Sequence, residues 1–223
     1  MSSSTKAGTD RRTLLIGGGI GLVVLLVVGL IAWSAAGDAE DRAVEREVRD
    51  RSLAEVAGSP TITGEALPPA GDTDPGDDPA VGQPAPRIEG ADFAGNPVSI
   101  GGTGSPQLVV FMASWCSFCR DELPEVAAWL NEGGPDGDVE VIAVSTLHRP
   151  DDTNWPPDAW FSRVGYPGPV ITDDADGSVA RAFGLTGTPY WVGIDAEGIV
   201  QVRASGRQSM DVVTQIATLL ASG

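Results

Sequence analysis

The stretch LVVFMASWCSFCRDELP, residues 108–124, decides how the rest of the chain is read. Leu108 to Ala113 is a continuous apolar run, as a strand buried on both faces requires. A helix follows, because Leu123, Val126/Ala127 and Leu130 recur at i, i+3/i+4, i+7. Cys116 and Cys119, the two cysteines in 223 residues, fall where the strand gives way to that helix. The positive end of a helix stabilises an anion, so Cys116 is placed to ionise at lower pH than a free cysteine. The i, i+3 spacing puts Cys119 on the same face, within disulfide reach.

Other uses of a C-x-x-C pair fit less well. Structural zinc wants four N or S ligands, and beside the two cysteines there is a single histidine, His148, with no motif around it. No metal or cofactor is therefore expected, and His148 is read as an ordinary loop residue. Haem attachment wants a histidine directly after the second cysteine, where Arg120 stands. A purely structural disulfide across so short a loop would constrain the unfolded chain little. Redox chemistry is the use that the placement favours.

Outward from this segment, elements alternate. Val139 to Val144 predicts a second buried strand, and Asp158 to Val164 a helix after Pro156-Pro157. Tyr190–Ile194 and Ile199–Ala204 flank Asp195-Ala196-Glu197-Gly198 as a hairpin. Ser209–Leu220 predicts a last helix with Val212, Val213, Ile216, Leu219 and Leu220 on one face. The result is an α/β domain over residues 81–223, a central mixed sheet flanked by helices. Hydrophobic residues make up 42% of the chain, enough for a packed core, and a net charge of −17 argues against nucleic acid as a partner.

The N-terminal third has a different character. Residues 14–33 form a run without charge, and 20 residues of helix span about 30 Å, a bilayer's hydrocarbon thickness. Lys6, Arg11 and Arg12 precede it, so residues 1–13 are predicted to be a cytoplasmic tail and everything past Trp33 extracytoplasmic. The run exceeds the usual signal core of about 7–15 residues, which favours an uncleaved transmembrane anchor. Ser34-Ala35-Ala36 keeps cleavage open as the alternative. Residues 34–80 are acidic and rich in proline, and are read as an extracytoplasmic linker, with a short helix in 38–57 and a possible edge strand at Thr61–Leu67.

Taken together these residues resemble the thioredoxin superfamily, and within it the TlpA/ResA-like membrane-anchored thiol–disulfide oxidoreductases. The likeness rests on Trp115-Cys116-Ser117-Phe118-Cys119 after a buried strand and on Cys119-Arg120-Asp121-Glu122-Leu123-Pro124. It extends to Asp92–Ile100, to Phe183-Gly184-Leu185-Thr186-Gly187-Thr188-Pro189 and to Ile194–Gly198. It implies a thioredoxin-like fold with a cis Pro189, which would hold the Thr188 backbone beside the cysteines to pair with a substrate chain. Trp115 and Phe118 would form the apolar rim that a substrate polypeptide touches, with a packing role as the alternative for Trp115. Thioredoxins proper carry an acid on the central strand, where this chain has Val110. In the group resembled here, a helix glutamate takes that place. The i, i+3, i+6 spacing of Cys116, Cys119 and Glu122 lets Glu122 lie below Cys119 and accept its proton, the rival being a solvated glutamate in the helix's first turns.

The activity this implies is thiol–disulfide exchange on protein cysteines outside the cytoplasm. The reducing direction is favoured, as in preparing apocytochromes for haem attachment, and a membrane redox partner would then supply electrons. An oxidase on the same dithiol, or a non-catalytic binding module, is the alternative. A peroxidase would need Pro and Ser or Thr where Val109 and Ala113 stand, and is set aside.

Overall fold

The computed structural model describes residues 42, 46–48, 51–71, 77–102 and 104–223. The apolar run 14–33 lies outside these residues, and no helix among those described is long and apolar enough to cross a membrane. The chain divides into two units, 1–47 and 48–223. Of the first, Arg42, Arg46 and Glu47 are helical. The second contains the sheets and both cysteines.

Five strands make the central sheet: β4 (Gln107–Met112), β5 (Glu140–Ser145), β6 (Val170–Thr172), β7 (Tyr190–Ile194) and β8 (Val200–Ser205), in the order β6-β5-β4-β7-β8. β4, β5 and β6 run parallel, whereas β7 runs antiparallel to β4, and β8 antiparallel to β7. Every residue of β4 is buried, as its uninterrupted apolar sequence demands. Alternate residues then serve two cores. Val110 and Met112 face α2 (Ser117–Asn131), α3 (Pro157–Val164) and α5 (Met210–Ala221). Val109 and Phe111 face α4 (Ser178–Ala182) and a second, antiparallel sheet of β1 (Thr61–Thr63), β2 (Arg87–Ala91) and β3 (Pro97–Ile100). Strand β6 and helix α4 are too short to show a period in sequence.

Helix α5 buries a narrower face than its sequence suggests. Val213, Ile216, Ala217 and Leu220 are inside, but Val212 and Leu219 are exposed. Their angular positions fall off the edge of the contact stripe.

The packed unit begins upstream of residue 81, within the segment read as linker. Helix α1 (Leu53–Val56) opens with a capping box in which Ser52 and Glu55 satisfy each other's end groups. Leu67 and Ala80 are buried. Backbone bonds tie Gly58 to Asp173, Leu67 to Ala182 and Ala70 to Gly184. Gly184 (φ 69°) is required there, since a Cβ would sit 2.2 Å from the Pro68 carbonyl. Arg203, buried, pairs with Asp78 and donates to Pro68 O at 2.8 Å. Prolines keep helix and strand short in this segment, and its isolated amides, the Pro68 carbonyl and Asp78 bond the domain instead.

Candidate active site

Strand β4 ends at Met112 and helix α2 begins at Ser117, so the residues between them form a tight turn at the sheet's C-terminal edge. Cys116 is the N-cap of α2, and its sulfur accepts from the Cys119 amide at 3.4 Å. A thiolate is a natural group in this place, where Ser, Thr, Asp or Asn commonly accept from the first-turn amides. The Thr188–Pro189 peptide is cis and brings the Thr188 carbonyl to 3.3 Å from Cys116 Sγ. Both thiols are free.

The two sulfurs differ in environment. Cys116 is 7% exposed and Cys119 fully buried. Burial alone would raise the Cys116 pKa, but hydrogen bonds at Cys119, Thr188 and the Cys119 and Phe118 amides outweigh it, leaving the thiol below its ordinary value. Burial pushes Cys119 far up. Of the two, the outer thiol is the one whose surroundings favour the thiolate, and burial favours the protonated form of the inner one.

Glu122 is fully buried one turn further along α2, and burial pushes its pKa up to about 6. Its Oε1 accepts from Trp191 Nε1 at 3.1 Å and from the Gln208 amide at 2.8 Å, while Oε2 has no partner. The solvated-glutamate alternative is thereby excluded. Glu122 makes no direct hydrogen bond to either cysteine.

Trp115 and Phe118 flank the dithiol. Phe118 is 59% exposed in the first turn of α2. Trp115 is half-buried, and its Nε1 donates to Leu147 O at 2.7 Å. The residues therefore brought together are Trp115, Cys116, Cys119, Thr188 and Pro189, with Phe118 beside them and Glu122 behind. His148 lies in the loop after β5, as its sequence suggests. It is buried, burial lowers its pKa, and its Nε2 makes no hydrogen bond.

Sequence reasoning did not find Trp191, Gln208 or the 147–154 loop. Trp191 is one of six tryptophans and lies 69 residues from Glu122, and only the strand register brings them together. Gln208 contributes a backbone amide, which no side-chain pattern reveals.

Comparison with known proteins agrees with this geometry. The chain is 27% identical over 120 residues to the thiol:disulfide interchange protein HelX of Rhodobacter capsulatus, covering 54% of this chain and 63% of that one. It is 30% identical over 141 residues to the thiol:disulfide interchange protein DsbE of Escherichia coli K12, covering 59% and 71%. The matches thus span between three fifths and three quarters of these relatives. Among solved structures, the thioredoxin domain of a thiol-disulfide oxidoreductase from Bacteroides vulgatus superposes with a TM-score of 0.52 at 26% identity, over 63% of this chain and 98% of that domain. StoA of Bacillus subtilis, at 17% identity and a TM-score of 0.52, shares the fold over 62% of this chain and 98% of its own. Residues 81–203, more than half of the chain, match the model of the AhpC/TSA family, and with the thioredoxin-like sheet, the capped dithiol and the cis proline in place, the chain belongs to that family.

Proposed function

We propose that this protein is a membrane-tethered, extracytoplasmic thiol–disulfide oxidoreductase that reduces disulfides in polypeptide substrates. The observation that carries the reading is the asymmetry of the two thiols, one lowered in pKa at a helix N-cap and one buried and protonated. The Cys116 thiolate attacks a substrate disulfide, forming a mixed disulfide and releasing the first substrate thiol. Cys119 loses its proton and attacks Cys116 Sγ, which expels the second substrate thiol. The substrate gains two electrons and two protons, and the Cys116–Cys119 disulfide is left.

Glu122 accepts the Cys119 proton in the second step. A base with a pKa near 6 is ionised at neutral pH and still basic enough for the task. The unpartnered Oε2 is the oxygen available to take the proton. Substrate backbone pairs with Thr188 at the cis proline, and Trp115 and Phe118 touch its apolar side chains. A membrane redox partner resets the dithiol, and apocytochromes are the substrate class that the resemblance implies. Support for the tether comes from the length of the 14–33 run and the cations before it.

Near pH 7, an alkylating reagent should label Cys116 ahead of Cys119 in the reduced protein. Cys119→Ser should trap a substrate polypeptide as a mixed disulfide, and Cys116→Ser should not. The reverse pattern, or a Cys116→Ala variant with undiminished disulfide reduction, would refute the mechanism. Protease added outside intact cells should release the dithiol domain, and its full protection would overturn the orientation.

A further inference from the structure

Three non-glycine residues with left-handed backbone occur among the described residues, and all three lie between β5 and α3: Leu147 (φ 50°), Asp151 (φ 65°) and Asn154 (φ 60°). Such residues are held only where their surroundings enforce them, and they cluster at functional sites. This loop is fastened to the dithiol turn at two points. Trp115 Nε1 donates to Leu147 O at 2.7 Å, and Asn154 Nδ2 donates to Ser114 O at 3.2 Å. Arg163 Nη2 in turn holds Asn154 Oδ1 at 2.8 Å.

What the fastened loop presents is Arg149. Its Cζ lies 3.4 Å from the centroid of the Trp115 ring, so guanidinium and indole are stacked beside the nucleophile. Stacking occupies the face of the guanidinium and leaves its N–H edge, which matches a carboxylate in bidentate geometry. Arg149 is exposed, and no carboxylate among the described residues forms an ion pair with it, although Asp151 and Asp152 share its loop. A groove of about 340 Å³ runs from Trp115 and Arg149 to Thr188, with Asp176 also on its wall. His148 lines it too, with its unpartnered Nε2. A buried nitrogen left unsatisfied beside a groove is a place for a ligand's polar atom.

We propose that Arg149 is a specificity-determining residue that receives a carboxylate of the substrate chain, an Asp or Glu side chain close in sequence to the cysteine under attack. The position follows from adjacency, since Arg149 stacks on Trp115, the residue before Cys116, and shares one groove with Thr188. The inference rests on the thiol–disulfide reading of the same site. Residues 81–223 carry 18 Asp or Glu against 7 Arg, so the domain as a whole repels acidic partners. A carboxylate is therefore accepted where it meets Arg149 and disfavoured elsewhere, which makes the contact selective.

The test uses the reduced full-length protein and three disulfide-bridged peptides that differ only in Glu, Gln or Lys next to the attacked cysteine. Wild type should reduce the Glu peptide about tenfold faster in kcat/KM than the Gln peptide, with the Lys peptide slowest. Arg149→Gln should bring the Glu:Gln ratio close to one, and Arg149→Lys should recover part of it. Arg87→Gln, which removes an exposed charge from β2, should keep the wild-type ratio. Equilibrium binding of the same peptides with cysteine replaced by serine reads the preference with no redox step. A wild-type ratio of one in both assays, or a ratio unchanged in Arg149→Gln, overturns the proposal. A Glu preference in binding with no reduction of any peptide would support Arg149 and refute the oxidoreductase reading instead.

Discussion

Trp191 Nε1 donates to Glu122 Oε1 at 3.1 Å, joining β7 to α2 behind the dithiol. Trp191 lies directly opposite Val110 in the β4–β7 register, the position at which thioredoxins proper carry their buried acid. The carboxylate therefore enters this side of the sheet from the helix, and a tryptophan from the neighbouring strand fixes its orientation. With the Gln208 amide on the same oxygen, Glu122 keeps one oxygen bonded and one unpartnered inside the core. A buried acid held in this way has both a raised pKa and a free lone pair, the two properties a proton acceptor needs.

Replacing that tryptophan tests the arrangement. Trp191→Phe keeps a ring in the core and deletes the N–H. A hydrogen bond to a charged group contributes about 1.5–3 kcal/mol, so losing it should raise the Glu122 pKa above its present value by about one unit or more. The acid limb of the pH profile for mixed-disulfide resolution should move up accordingly, while alkylation of Cys116 keeps its wild-type pH dependence. An unmoved limb would separate Glu122 from the resolving step.

Glu122→Gln should act on rate and stability together. A glutamine cannot take the Cys119 proton, and resolution should slow by about 100-fold. The stability effect has a definite sign. The folded-state pKa, about 6, lies above the usual carboxylate value, so between about pH 4.5 and 6 the folded form binds more protons than the unfolded one. Wild-type stability therefore falls as pH rises through that window, by at most about 2 kcal/mol from this group. Urea titrations at pH 4.5 and 7 should show that loss in the difference between wild type and Glu122→Gln, because His148 and the other groups that titrate in this window contribute alike to both.

The parts of this molecule legible in its sequence are those with a strong local period. Strand β4, helix α2 and the β7–β8 hairpin are recognisable because burial imposes continuous or 3.6-residue apolar patterns. The dithiol and Thr188-Pro189 are legible because their chemistry is carried by residue type. The contacts that tune the site are not, since they join distant segments through backbone atoms or single side chains. Glu122 meets the Gln208 amide across 86 residues, and Arg203 meets Asp78 across 125. The segment between 51 and 80 reads as linker for the same reason. Its prolines suppress any long period, and its hold on the domain comes from the short strand β1, isolated backbone amides and carbonyls, and one aspartate.

That hold can be measured by breaking two ion pairs of different depth. Asp78 and Arg203 are almost fully buried, and the arginine keeps Asp78 below the usual carboxylate range. Asp78→Ala leaves a buried guanidinium without its counter-charge and should cost about 3–5 kcal/mol. Arg207 and Glu125 form a comparable pair with 42% and 43% of their side chains exposed, and Glu125→Ala should cost about 1 kcal/mol or less. Denaturant midpoints of the two variants decide the matter. Equal small losses would mean that the 77–80 segment does not belong to the cooperative unit.

The direction of electron flow is read from the reduction potential. A strong oxidant on this fold stabilises its reduced form by holding the nucleophile as a thiolate of very low pKa. Here burial works against ionisation of both sulfurs: it opposes what the hydrogen bonds give Cys116, and it keeps Cys119 protonated. The proposed reducing direction requires that the reduced pair gain less from thiolate stabilisation than it does in a strong oxidant, so that the disulfide is the favoured product. Equilibration against glutathione and dithiothreitol buffers should place the potential near or below that of thioredoxin, about −270 mV. In Cys119→Ser the Cys116 thiol should still titrate below an ordinary cysteine, as followed by alkylation rate against pH. A potential nearer −120 mV would identify an oxidase and reverse the proposed direction, with the order of attack by the two cysteines unchanged.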